Sequence, residues 1–244
     1  SFLRLEGCTD EADILLDAGT LAAVSMVKLE RVEEAEALAN RLLGHLQGRK
    51  QYDREGDMHR LIARVCAQAG HLADAISQAG QAAACFEKAG DLYHAAAAYG
   101  YIGDLHREAG EFEEAKKAFE RFRALAAKWG DRNLIQIAEL ADAWVSLDIG
   151  DLTHASRLIT EVEKELTGAP SRRLRRYLAA ARVMLEAGRG KHAEVIEPLG
   201  RVIEMWVGAG QHGIADMMRA QQVRSLVAMG QVTEARDIVD LALK

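Results

Sequence analysis

Residues 99–119 read YGYIGDLHREAGEFEEAKKAF, and the spacing of the small residues in this stretch decides the fold. Gly110 belongs to a series at forty-residue intervals, and Ala115 belongs to a second series in the same phase. The first series is Gly70, Gly110, Gly150, Gly190 and Gly230, with Glu30 in the same phase. The second series is Ala35, Ala75, Ala115, Ala155, Val195 and Ala235. A repeat of this length is typical of a solenoid, in which each repeat packs on its neighbours.

Helix-breaking residues also lie halfway between these glycines, at Gly90, Gly130, Pro170 and Gly210. The breaks therefore predict two helices, A and B, in each repeat. We predict helix A over 11–29, 51–69, 91–109, 131–149, 171–188 and 211–229, and helix B over 31–47, 71–88, 111–128, 151–166, 191–207 and 231–243. Side chains that can cap a helix N-terminus stand at Asp10, Asp91, Asp131 and Ser171.

The third repeat resembles the tetratricopeptide-repeat (TPR) family. Its residues at the spacing of the family's W-L-G-Y-G-Y-A-F pattern are Tyr99, Ile102, Gly103, His106, Gly110, Phe112, Ala115 and Phe119. The usual proline after helix B is absent and the unit exceeds the family's length of about 34 residues. Both departures are typical of the long-repeat branch, which is similar to the sensor domains of MalT-type signal-transduction ATPases and large LuxR-type regulators.

The resemblance implies an all-α, right-handed α–α superhelix (solenoid) of six helix-turn-helix repeats. Gly103 and Ala115 are expected where helices A and B cross closely. We predict one TPR-like solenoid over 1–244, with repeats at approximately 10–48, 49–89, 90–129, 130–169, 170–209 and 210–244. We also expect the chain to be a piece of a longer polypeptide, because solenoids need polar capping ends.

Composition and motifs narrow the function. The formal net charge of −6 disfavours direct contact with nucleic acid, which requires a basic surface. Three cysteines outside any CxxC motif suggest reduced thiols and a cytoplasmic protein, and no apolar run is long enough to span a membrane. The eight histidines form no HExxH motif, and no glycine-rich phosphate loop or GxSxG elbow is present. We therefore predict no enzymatic activity, no cofactor and no metal site.

In the resembled family, helix A lines the inner, concave wall of the superhelix. The corresponding positions form a charged half, Arg60, Arg64, Asp104 and Arg107, and a mainly apolar half, Leu140, Trp144, Tyr177, Met184, Met217 and Arg224. These ten residues are the predicted ligand- or peptide-binding groove. On a groove surface the rings of Trp144 and Tyr177 would be partly exposed. The alternative is that the helix over 131–149 is rotated and Trp144 belongs to the core.

Four arginines crowd the start of the fifth helix A, at Arg172, Arg173, Arg175 and Arg176. Positive charge is mildly unfavourable at a helix N-terminus. The simpler interpretation is a solvated helix end. The alternative is a site for an acidic partner, a phosphate or a neighbouring domain.

The sequence favours a non-enzymatic scaffold that takes a protein or peptide, or another segment of its parent chain, into the concave groove. The alternative, implied by the resemblance, is the effector-sensing domain of a MalT-like or LuxR-type regulator, with a small effector as the ligand and signal transduction or transcription regulation as the role.

Overall fold

The structure, a computed structural model, describes residues 18–23, 25–26, 31–46, 48–166 and 168–242. Residues 18–23 are helical, and eleven further helices follow. They are α1 Val32–Leu46, α2 Tyr52–Gln68, α3 Leu72–Ala89, α4 Leu92–Glu108, α5 Phe112–Trp129, α6 Arg132–Asp148, α7 Leu152–Lys164, α8 Arg172–Gly188, α9 His192–Val207, α10 His212–Ala228 and α11 Val232–Ala242. The described residues include no strand. From α2 onward the even-numbered helices are the predicted A helices, and the odd-numbered helices, including α1, are the predicted B helices.

The turn at Gly110 shows why the forty-residue phase sets the helix boundaries. Gly110 has a φ of 76°, in the left-handed region that glycine adopts without steric cost. Its N–H donates to the carbonyl of Arg107 at 3.1 Å, and the N–H of Glu111 donates to the carbonyl of His106 at 2.8 Å. This pair of bonds satisfies carbonyls that the end of α4 would otherwise leave unpaired. Helix A therefore ends at the glycine, and helix B begins directly after it.

Side-chain caps fix several helix starts. The Asp91 carboxylate accepts the N–H of His94, the Asp131 carboxylate accepts that of Leu134, and the Ser171 hydroxyl accepts that of Leu174. Three of the four predicted caps are thus confirmed, whereas Asp10 lies outside the described residues, as does most of the predicted helix 11–29. Asp151 also caps its helix, through the N–H of His154.

Small residues permit the close helix crossings. All members of the second series are buried, namely Ala35, Ala75, Ala115, Ala155, Val195 and Ala235. Gly103 lies against Phe119 of α5, and a Cβ atom added at Gly103 would come within 2.3 Å of the Phe119 ring. Both positions expected at helix crossings, Gly103 and Ala115, are therefore packed as predicted.

The chain divides into two compact units, Ser1–Gly130 and Asp131–Lys244, called here the N-terminal and the C-terminal unit. In the N-terminal unit, α1 packs on α2, α2 on α3, α3 on α4 and α4 on α5. In the C-terminal unit, α6 packs on α7 and α8, α8 also packs on α9, and α10 packs between α9 and α11. The single solenoid over 1–244 stays a prediction.

Candidate binding face

The charged half of the predicted groove lies on the A helices of the N-terminal unit. On α2, the Arg60 guanidinium donates to the Asp57 carboxylate at 2.7 Å and lies 6.0 Å from the centre of the Phe86 ring. Asp57 is largely buried, whereas Arg60 is exposed. The carboxylate and the ring therefore restrain Arg60, although its side chain stays exposed.

Tyr101 of α4 experiences the charges of side chains on both A helices, α2 and α4. The pKa of the Tyr101 phenol is raised to about 12, mainly by burial; the positive charge of Arg64 on α2 opposes this rise, and the negative charges of Glu108 and Asp104 contribute to it. Arg64 is exposed, and Asp104 is half-buried. The A helices α2 and α4 thus carry a neutral phenol and charges of both signs.

Arg107, the remaining member of the charged half, is half-buried on α4. It follows Asp104 by three residues, so both side chains lie on the same side of the helix. Tyr101 was not among the predicted groove residues. It directly follows Gly100, which falls at one of the positions that line the concave wall in the resembled family, and sequence spacing does not reveal how far a phenol is desolvated.

The apolar half lies in the C-terminal unit and is largely interior. Trp144 of α6 is 2% exposed, Tyr177 of α8 is 7% exposed, and Leu140 is fully buried. Trp206 of α9 packs against both rings, with centroids 6.3 Å from Trp144 and 5.0 Å from Tyr177. The predicted groove requires partly exposed rings, so the structure favours the alternative that Trp144 belongs to the core, and it buries Tyr177 and Leu140 as well. These rings are excluded from the proposed binding face.

Trp206 itself was missed as a partner of these rings. The signal that identifies it is the apolar stripe along α9, Val195, Leu199, Val202 and Trp206, whose helical spacing predicts one buried face. Trp206, at the end of this stripe, contributes the third ring of a cluster with Trp144 and Tyr177, called here the aromatic cluster.

Met184, Met217 and Arg224 are the remaining predicted groove residues. Met184 of α8 and Met217 of α10 are half-buried, and Arg224 of α10 is exposed. The Arg224 Nε donates to the Gln221 side chain at 3.1 Å. These three residues retain accessible surface, unlike the aromatic cluster.

Groups that could perform chemistry are sparse in the described part of the chain. No cluster of three or more His, Cys, Asp or Glu residues there could hold a metal ion. Cys66 and Cys85 are free and buried, and burial raises the pKa of each thiol above its ordinary value. Among the same residues, no helix has the length and apolar character needed to cross a membrane.

Comparison with solved structures identifies the fold. A Signal Transduction ATPase with Numerous Domains from Pyrococcus horikoshii, which has a tetratricopeptide repeat sensor, matches 99% of this chain with a TM-score of 0.67 and 12% identity; the match covers 39% of that protein. A Rap protein complexed with Competence and Sporulation Factor matches 95% of this chain and 67% of its own, with a TM-score of 0.61 and 16% identity. TPR-like repeats assigned to a kinesin light chain of Podosopora anserina match 83% of this chain and 99% of their own, with a TM-score of 0.59 and 17% identity.

These similarities confirm the predicted all-α fold of TPR-like helical repeats. No protein-family model and no curated protein matches the chain.

Proposed function

We propose that the chain is a non-enzymatic scaffold that binds a protein or peptide on the A-helix face of its N-terminal unit. The observation that carries this proposal is the set of charged side chains on the A helices α2 and α4, which are the exposed Arg60 and Arg64 and the half-buried Asp104 and Arg107. Such a face offers hydrogen-bond donors, an acceptor and charges of both signs to one ligand segment.

Restraint of the side chains before binding favours this role. Arg60 is held by Asp57 and lies beside Phe86, so it loses less conformational freedom on binding than an unrestrained arginine. A guanidinium group in this setting can bind a backbone carbonyl or a carboxylate, and Asp104 can accept from a peptide amide or pair with a cation. Charges arranged in this way fix the register and orientation of a bound segment.

The similarity to a Rap protein complexed with Competence and Sporulation Factor supports the proposal, since a protein with this fold holds a partner. Met184, Met217 and Arg224 are separate candidate contacts within the C-terminal unit. The partner is a protein, a peptide or another segment of the parent chain, and the scaffold is expected to act in the cytoplasm.

Selection of peptides followed by charge reversal tests the proposal. The full chain is immobilised and used to select binders from a random peptide phage library, and the affinities of the enriched synthetic peptides are then measured by isothermal titration calorimetry. Arg64→Glu should weaken binding by about tenfold or more, because a charge-assisted hydrogen bond is replaced by repulsion.

The matched control is Arg123→Glu, which reverses an exposed charge on the B helix α5. The control should retain the affinity of the wild-type chain to within about twofold. If both variants are folded and bind the peptides with equal affinity, the A-helix face is not the binding site. Failure to enrich any peptide would argue against peptide binding altogether.

A second candidate function is effector sensing within a larger regulator. It is favoured by the similarity to the P. horikoshii ATPase, a protein with a tetratricopeptide repeat sensor. A thermal-shift screen of the chain against small metabolites tests this candidate. A saturable rise in melting temperature with one metabolite would support it, whereas a screen without any such rise would leave the peptide-binding scaffold as the better account.

A further inference from the structure

The N-terminal end of α8 carries four arginines within five residues, Arg172, Arg173, Arg175 and Arg176. At about 100° per residue, their directions around the helix axis span an arc of about 160°, and their axial spread is about 6 Å. Arg172 and Arg175 are exposed, and Arg173 and Arg176 are half-buried. The helix end therefore presents a dense positive patch on one side, here called the arginine patch.

Electrostatics within the chain oppose this arrangement. Like charges three or four residues apart repel one another, and cations are unfavourable at a helix N-terminus. None of the four guanidinium groups forms an ion pair with a carboxylate among the described residues. Other arginines of the C-terminal unit do form ion pairs, namely Arg132, Arg157, Arg182, Arg189, Arg201, Arg219 and Arg236. The arginine patch is thus a concentration of cations without carboxylate partners among the described residues, in a chain whose net charge is −6.

Two of the four side chains are positioned by the aromatic cluster. The Arg173 guanidinium lies 5.9 Å from the centre of the Tyr177 ring, and the Arg176 guanidinium lies 5.4 Å from that of Trp206. These distances are within the range of cation–π attraction. Because both rings are buried and packed against each other, the two guanidinium groups have rigid supports.

Hydrogen-bond donors at this support lack acceptors. The Nε of Arg176 and the indole Nε1 of Trp206 are both buried, and neither has a hydrogen-bond partner among the described residues. Trp206 as a whole is 1% exposed. A buried donor left without an acceptor is costly, and native structures contain few of them. The two unpaired N–H groups add to the positive potential at the patch, which favours an anionic ligand.

We propose that the arginine patch binds an acidic segment of a partner protein through side-chain carboxylates. Planar guanidinium groups match carboxylates in paired hydrogen bonds, and the two exposed arginines next to the two ring-supported ones can engage successive acidic residues. A nucleic acid is a poorer fit, since the basic surface is confined to one helix end of an acidic chain. The arginine patch and its supporting rings lie within residues 172–206, apart from the face of α2 and α4. This proposal can therefore be tested independently of the proposed function.

Fluorescence anisotropy with a fluorescein-labelled hexaglutamate peptide and the full chain tests the proposal. The test variant is Arg172→Gln/Arg175→Gln, in which neither altered side chain contacts a ring and both are exposed, so the fold should persist. The control is Arg41→Gln/Arg123→Gln, which also removes two exposed positive charges, from helices α1 and α5. The test variant should bind about tenfold more weakly than the control variant.

A more conservative change examines the guanidinium geometry. Arg176→Lys keeps the positive charge but loses the planar fork and its stacking, so it should also weaken peptide binding severalfold. Arg64→Glu, by contrast, should leave hexaglutamate binding unchanged at the patch, apart from the small loss expected for any added negative charge. This comparison separates failure of the arginine patch from failure of the proposed A-helix face.

Two outcomes would overturn the proposal. One is a wild-type chain that does not bind hexaglutamate saturably, and the other is equal affinity of the test and control variants for the peptide. Tighter binding of a single-stranded oligonucleotide of the same charge would assign the patch to nucleic acid instead. Displacement of the peptide by inorganic phosphate at matched charge would indicate a phosphate site.

Discussion

The rings of Trp144 and Tyr177 stack in the interior of the C-terminal unit, with centroids 5.1 Å apart and an angle of 19° between their planes. Trp206 meets both rings edge-on. Each of the three side chains comes from a different helix, so the cluster joins α6, α8 and α9. Aromatic pairs in such arrangements stabilise a protein beyond the effect of buried area alone. We therefore expect Trp144 to contribute mainly to stability.

Replacing Trp144 with alanine should lower the free energy of unfolding by about 3–5 kcal/mol, because it leaves a cavity beside Tyr177 and Trp206. Urea denaturation followed by circular dichroism measures this change. The matched control is Trp129→Ala, since Trp129 at the end of α5 is 54% exposed. The control should cost about 1 kcal/mol or less. A Trp144 variant as stable as the control would mean that its ring is not part of the core.

The repeat boundaries could be predicted from the sequence because their determinants are local. A left-handed glycine such as Gly110, or a capping carboxylate such as Asp91, acts on residues within one turn of itself. The small residue at Ala115 adds a requirement that is the same in every repeat. Local chemistry repeated at a fixed interval therefore specifies the helices without knowledge of the remaining chain.

The rotation of α6 could not be predicted in the same way. Its two apolar stripes, one with Leu140 and Trp144 and the other with Ala141 and Val145, are both buried. A helix that is apolar over most of its circumference does not indicate which side faces a groove. The answer depends on Trp206, which is far away in sequence, so it required the tertiary structure.

Gly103 provides a sensitive test of the helix crossing between α4 and α5. An alanine Cβ at this position would lie 2.3 Å from Cε1 of Phe119, a buried ring that cannot move aside freely. Gly103→Ala should therefore destabilise the chain by about 1–3 kcal/mol through overpacking, and Gly103→Leu should cost at least as much. Thermal and urea unfolding of the purified variants measure the loss.

Gly80→Ala is the matched control for this substitution. Gly80 also lies within a helix, α3, but no neighbouring atom lies within 4 Å of a Cβ added there. Alanine is preferred over glycine inside a helix, so the control should gain about 0.5–1 kcal/mol. Opposite signs for the two variants are expected. A neutral Gly103→Ala would show that α5 does not cross α4 at this residue.

Tyr101 should make the chain sensitive to alkaline pH. Its folded-state pKa is raised to about 12, whereas the phenol of an unfolded chain has a pKa of about 10. Between these values the unfolded chain loses the proton and the folded chain keeps it, so stability falls as pH rises. The difference corresponds to roughly 3 kcal/mol of stability, which is fully present below about pH 10 and is lost as the pH rises through about 12.

Urea unfolding of the wild-type chain and Tyr101→Phe as a function of pH measures this contribution. The variant lacks the titrating phenol and should lose less stability between about pH 10 and pH 12. Tyr93→Phe, which removes the phenol of a more exposed tyrosine, serves as the control and should follow the wild-type curve more closely. Parallel curves for the wild-type chain and Tyr101→Phe would contradict the burial of this phenol.

The terminal helix α11 should open far more readily than α4. Within the C-terminal unit α11 packs on α10, and of its described side chains Ala235 alone is buried, while Val232 and Leu241 are 63% and 72% exposed. Helix α4, by contrast, packs between α3 and α5 and buries Ala95, Ala96, Ala98, Gly100, Ile102, Gly103 and Leu105. Local opening costs less where fewer apolar contacts must break. In native-state hydrogen exchange, the amides of α11 should therefore exchange about a hundredfold faster or more, a difference of about 2.7 kcal/mol. Equal protection in the two helices would contradict this prediction and would mean that α11 is covered by another helix or a partner in solution.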